Sequence, residues 1–206
     1  MNVLLINGSP HEKGCTYTAL SLIAGELNKA GIDTEILHVG GKPVGGCIGC
    51  GGCRSGNGCV FGGVVNEAIE KAKTADGFVF GSPVHYASAS GNMTSFMDRL
   101  AYAGGRYLAY KPAAICCSAR RAGTTTTLDQ LVKYPQFFHM PLVNGSYWAM
   151  VHGSNPEQVL QDAEGCAVMQ ELGRNMAWLL RCIEAGKAAG IDHPQNPPRP
   201  MTNFIR

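Results

Sequence analysis

Four short runs of the chain are mainly apolar: Val3–Asn7, Thr34–Val39, Gly77–Gly81 and Ala113–Cys117. Each is too short for a helix, and none alternates as a strand with one wet face does. Helical spacing follows three of them, with Leu20, Ile23, Leu27 and Ala30 on one face, then Val65, Ala68, Ile69 and Ala72, then Phe96, Met97, Leu100 and Ala101. The longest such face carries Cys166, Met169, Leu172, Met176, Leu179, Leu180 and Ile183. Strands without a polar face must be covered on both sides, so the pattern predicts an α/β chain with a parallel sheet between two helical layers. A weaker fifth strand falls at Leu142–Val143, resuming around Tyr147–Met150. One domain over residues 1–192 is expected, followed by an extended tail at 193–206 that carries four prolines and cannot be helical.

Glycine is concentrated rather than spread. Of 27 glycines, 11 fall in residues 40–63, together with 4 of the 9 cysteines. This segment reads as a loop inserted after the second strand. Net charge is only +2 and no basic run occurs, which argues against nucleic acid as the partner. The longest stretches free of charged residues are broken by Pro, Asn, Ser and His, so no membrane span is expected. The start MNVLLINGSP lacks a basic segment and a long apolar run, and a cytoplasmic location is the expectation. In that reducing setting, clustered thiols point to metal or redox chemistry before structural disulfides.

Ligands of an open parallel sheet bind at the carboxyl ends of its strands. The first such loop, Gly8-Ser9-Pro10-His11-Glu12-Lys13-Gly14-Cys15-Thr16-Tyr17-Thr18, offers hydroxyls at Ser9, Thr16 and Thr18 and the positive start of a helix. That combination suits a phosphate; an ordinary cap by Cys15 or Thr16 is the competing reading. Neither a dinucleotide G-x-G-x-x-G in this loop nor a P-loop anywhere is present. The third-strand loop, Gly81-Ser82-Pro83-Val84-His85-Tyr86, makes a shelf with a ring beside exposed backbone, suited to a flat heterocycle, or is plain solvated loop. After the fourth strand, Ser118 is followed by Arg120 and Arg121, which can balance an anionic group.

Taken together, N-G-S-P-x(4)-C-T at 7–16, G-S-P-V-H-Y at 81–86 and S-G-N-M-T-S-F-M-D-R at 90–99 resemble the NADPH-dependent FMN reductase family of flavodoxin-like proteins. Within it the likeness is nearest to iron–sulfur flavoproteins and their cluster-free relatives. The resemblance implies a three-layer sandwich with a five-stranded parallel sheet in the order 2-1-3-4-5. It also implies that Ser9, Cys15, Thr16 and Tyr17 hold the FMN phosphate. Pro83, Val84, His85 and Tyr86 would frame the isoalloxazine, with Ser118 and Arg120 near its other edge. Cys15 stands where many relatives carry Asn.

Cys47, Cys50, Cys53 and Cys59 read C-x2-C-x2-C-x5-C. Three thiolates spaced by two and a fourth soon after can reach the corners of a cubane. The resemblance implies a [4Fe–4S] cluster; metal-free thiols and zinc stay open beside it. Cys116, Cys117 and Cys166 read as small core residues. The expected activity is that of an FMN-dependent oxidoreductase drawing on NADH or NADPH and reducing a small molecule. With flavin carrying the chemistry, no side chain is assigned as an obligatory acid or base. An electron carrier relaying single electrons between redox proteins is the alternative, and a thiol-based redox module a third. Few charges, Trp148, Trp178 and the proline-rich end suggest a homodimer or homotetramer, as the family resemblance does.

Overall fold

A computed structural model describes residues 1–198 and 200–202. Strands β1 (Asn2–Asn7), β2 (Asp33–His38), β3 (Gly77–His85), β4 (Ser88–Ala89), β5 (Ala113–Ala119) and β6 (Met150–His152) alternate with helices α1 (Cys15–Lys29), α2 (Val64–Thr74), α3 (Gly91–Gly104), α4 (Thr124–Phe137), α5 (Pro156–Val159) and α6 (Ala163–Ala188). Five strands lie parallel in the order β2-β1-β3-β5-β6, and β4 folds back antiparallel on β3. Counting the parallel strands alone, this is the expected 2-1-3-4-5.

Alternate residues of each central strand feed opposite cores. Leu4, Ile6, Phe78, Phe80 and Ile115 pack beneath α2, α3 and α4. Val3, Leu5, Val79, Ala114 and Cys116 pack beneath α1 and α6. The apolar central strands β1, β3 and β5 are thus explained, because both faces of the sheet are covered there, whereas the edge strand β2 leaves Asp33 and Glu35 exposed. α1 and α6 meet closely at Gly173, where a β-carbon would lie 2.6 Å from the Ile23 carbonyl oxygen. The apolar stripe of α6 is buried at Met169, Leu172, Met176 and Leu180, whereas Cys166 is only half-buried.

Three features go beyond the sequence reading. The fifth strand is broken: Leu142 makes a lone bridge to Ala113, and pairing resumes only at Met150, after Asn144-Gly145-Ser146 has carried the chain off the sheet edge. α4 begins on four consecutive threonines, which are poor helix formers; Leu131 and Thr127, both buried, override that weak preference. β3 runs on to His85 and closes a hairpin whose turn residues, Tyr86 and Ala87, have φ of 50° and 58°. Such values fit the two-residue turns that suit a twisted hairpin, at positions where glycine is the usual occupant.

Residues 189–198 and 200–202 form neither helix nor strand. The His193 ring stacks on Tyr110 at 4.3 Å between centroids, and Asn196 Nδ2 donates to Tyr110 Oη at 2.6 Å. Of the proline-rich tail, residues 199 and 203–206 lie outside the described residues. No described helix is long and apolar enough to cross a membrane.

Candidate functional site

The carboxyl ends of β1, β3 and β5 bring the three loops singled out by sequence to one edge. Asn7 folds the first loop back on itself: its side chain accepts from the Ser9 amide and donates to the Glu12 carbonyl. Ser9 Oγ in turn accepts from the His11 amide. α1 then starts from Gly14 with no side-chain cap and no acidic residue in its first turn. Neither Cys15 nor Thr16 caps the helix; they are its first two residues. The first-turn N–H groups therefore face out unpaired, at the positive end of the helix. Thr18 is not available to a ligand as expected, because its hydroxyl donates back to the Gly14 carbonyl.

Thr16 Oγ1 and Ser118 Oγ lie 2.8 Å apart, both buried, so one of the two hydroxyl protons is left over after they bond to each other. Cys15 Sγ donates to the Gly153 carbonyl at 3.5 Å, and burial pushes its thiol up from the ordinary range. It stays neutral beside any anion. Ser82, fully buried, accepts from the Ser90 amide, and Ser90 Oγ donates to the Gly8 carbonyl at 2.7 Å. Gly8 N–H reaches the Gly81 carbonyl. First and third loops are thereby stapled together.

Pro83 and Val84 are half-buried, His85 is exposed, and the Tyr86 ring is fully exposed on its left-handed turn. The arginine loop abuts this hairpin, since a β-carbon on Gly123 would lie 2.7 Å from Ala87 Cα, and Thr126 Oγ1 donates to the Ala87 carbonyl. Arg120 and Arg121 are exposed, and among the described residues neither has a carboxylate within 4.0 Å. An uncapped helix start with no acidic residue in its first turn, two hydroxyls and a shelf with an exposed aromatic ring fit a flat heterocycle ending in a phosphate.

The cysteine loop hangs from the same edge, between β2 and α2. Asn92 of α3 pins its entry, donating to the Gly40 and Lys42 carbonyls and accepting from the Val44 amide. Asn66 pins its exit, bonding both the amide and the carbonyl of Cys59. Gly51 and Gly56 flank a short 3₁₀ turn (Gly52–Ser55), and their φ of 71° and 84° let the chain reverse direction twice around Cys53. Cys47, Cys50, Cys53 and Cys59 all line one cavity of about 330 Å³, with Phe61, Arg99 and Tyr102. All nine cysteines are free thiols. Among the described residues, no three His, Cys, Asp or Glu side chains are gathered as a single ion would require. A cubane asks for a wider set, four thiolates around a common space, and the four thiols on this one cavity are the donor set it takes.

Arg99 bonds this loop at three points. Its Nε donates to Cys59 Sγ at 3.2 Å, and its terminal nitrogens donate to the Gly45 and Gly62 carbonyls. Sequence reasoning quoted Arg99 within the motif at 90–99 but gave it no role, and it passed over Asn66, Asn92 and Ser90 in the same way. Nothing local marks these residues, whose partners are mostly remote in sequence.

The model of the NADPH-dependent FMN reductase family matches residues 1–155. The chain belongs to that family. Among relatives, an iron–sulfur flavoprotein of Methanocaldococcus jannaschii is 28% identical over 193 residues, covering 89% of this chain and 100% of its own. One from Methanosarcina thermophila is 23% identical over 193 residues, covering 91% and 99%. Solved structures agree on the flavodoxin-like fold. RosB, determined with bound 8-demethyl-8-formylriboflavin-5'-phosphate, superposes with a TM-score of 0.72 at 13% identity, covering 100% of this chain and 92% of that one. A flavodoxin from the Archaea gives a TM-score of 0.60 at 13% identity, covering 88% and 99%.

Proposed function

We propose that this member of the family is an FMN-dependent NAD(P)H oxidoreductase, passing electrons from a nicotinamide to a small-molecule acceptor such as a quinone, a nitro or azo compound, or free flavin. The observation that carries the reading is the uncapped start of α1, with no acidic residue in its first turn and the buried Thr16–Ser118 hydroxyl pair beside it. Ser9, Cys15, Thr16 and Tyr17 would hold the phosphate, the last three largely through first-turn N–H groups. Pro83, Val84, His85 and Tyr86 would border the ring, with Ser118 and Arg120 at its far side. Bound FMN supplies the chemistry itself, accepting a hydride and handing electrons onward. The protein's own work is to bind the phosphate, keep Cys15 neutral, leave one ring face open and place a cation nearby. Titration of the apo-protein with FMN, followed by anaerobic stopped-flow with NADH and NADPH, tests this. Fast reduction of bound FMN is expected with one nicotinamide or both; no FMN uptake, or no reduction by either, sinks it.

A second reading is favoured by the four thiols around one cavity: Cys47, Cys50, Cys53 and Cys59 hold a [4Fe–4S] cluster, and the chain relays single electrons to a redox protein. Relatives bearing the name iron–sulfur flavoprotein support it. An anaerobic absorption spectrum with iron and acid-labile sulfide assays decides whether the cluster forms. Slow reduction by nicotinamides combined with fast reduction by a protein partner would favour the relay. In either case we read the protein as a cytoplasmic homodimer or homotetramer, with Trp148 and Trp178, both more than half exposed on the single chain, as surface available to a second copy.

A further inference from the structure

Arg99 is only 6% exposed, yet among the described residues no carboxylate lies within 4.0 Å of it. Leaving a charge buried and unpaired is costly, so a position like this calls for an anion. The nearest acid in sequence, Asp98, is turned away to accept from Tyr134 Oη on α4. Glu67 borders the neighbouring cavity with Arg99, but its carboxylate lies 3.7 Å from Lys71. What the guanidinium touches instead is the cysteine loop. It reaches the Gly45 carbonyl, two residues before Cys47, and the Gly62 carbonyl, three residues after Cys59. Its third direction is Cys59 Sγ, and the Phe61 ring lies 5.3 Å from the guanidinium carbon.

A neutral thiol is a weak acceptor and supplies no counter-charge. A thiolate on iron accepts strongly and carries negative charge, and four thiolates around a [4Fe–4S] core leave the whole net negative. We propose that Arg99 is the built-in counter-charge for a [4Fe–4S] cluster on Cys47, Cys50, Cys53 and Cys59, acting through Cys59 Sγ to raise the cluster's reduction potential and slow its loss. The inference rests on the cluster reading given above. Arg99 is a positioning residue: it touches a ligand, not the iron. Its charge stabilises the reduced, more negative cluster over the oxidised one, and its two carbonyl bonds hold both limbs of the loop at the spacing the ligands need.

The test uses the full-length protein, reconstituted anaerobically with iron and sulfide, as wild type, Arg99→Lys and Arg99→Gln. Lysine keeps the charge, while glutamine keeps a neutral donor. Iron and sulfide are counted, the midpoint potential is read by electron paramagnetic resonance during reductive titration, and cluster loss to a chelator is followed by absorbance. FMN affinity at the sheet edge reports that each variant is folded. Wild type and R99K are expected to share a potential, with R99Q shifted to a more negative one and losing its cluster several-fold faster. Equal potentials in all three overturn the proposal while leaving the cluster reading intact. A wild-type protein that takes up no iron overturns the cluster reading, and the proposal with it. Should R99Q not fold, wild-type protein labelled with ¹⁵N-arginine decides. Electron spin-echo modulation of the reduced cluster is expected to show coupling to an arginine nitrogen, and its absence overturns the proposal.

Discussion

At the scale of single residues, the proposed phosphate end of the site includes a contact across 102 positions, from Thr16 to Ser118. Thr16→Val keeps the shape of the side chain and removes its hydroxyl. A hydrogen bond to a charged group contributes about 1.5–3 kcal/mol, so FMN affinity should fall roughly 10- to 100-fold, read by flavin fluorescence titration. The circular dichroism of the variant should be unchanged. That Ser9, Cys15, Thr16 and Tyr17 share one loop running into a helix was legible, because the segment is continuous. Ser118 was legible only as a neighbour of Arg120; that it bonds Thr16 was not. Gly40 shows the same limit, since a β-carbon there would fall 2.1 Å from the Ser9 carbonyl oxygen, a contact invisible from either segment alone.

At the scale of elements, α3 ties the site together. Ser90 caps it, accepting from the Met93 amide, and also donates to the Gly8 carbonyl in the first loop. Ser90→Ala should therefore cost about 1–2 kcal/mol in urea unfolding, the loss of a cap plus a buried bond. Farther along, Asp98 accepts from Tyr134 Oη and fastens α3 to α4. Burial first, and the neighbouring carboxylate second, hold the Tyr134 phenol well above its ordinary 10.0. A raised folded-state value means that the native state keeps its proton after the unfolded chain has lost it. That stability is fully present below pH 10 and is lost as pH rises through the native value. Relative to wild type, Tyr134→Phe should show a smaller loss of stability above pH 10, measured by denaturant midpoints across alkaline buffers.

At the scale of the molecule, the flavin edge and the tail lie at opposite ends of the sheet. Tyr110, on which His193 stacks, precedes β5, whereas Ser118 lies five residues past the strand's first residue, about 17 Å farther along. Deleting residues 193–206 should leave FMN affinity at the wild-type value and lower the melting temperature by a few degrees, as the loss of about 1 kcal/mol does in a chain of this size. An oligomer is tested by sedimentation at several concentrations, with a dimer or tetramer as the expected species.

The alternation of dry strands and one-sided helices, and the loops at the carboxyl edge, could be read without coordinates. Hydrophobic period is a local property, and the rule for where parallel sheets bind ligands needs only the order of the elements. The four cysteines were legible for the same reason, as a short run with fixed spacing. What tertiary structure alone decided is what stands opposite them. Packing of α3 against the sheet delivers Arg99 to Cys59, 40 positions away, and strand order brings the end of β5 against the start of α1. Those meetings depend on the rotation of a helix and the crossing of strands, which no window of sequence contains.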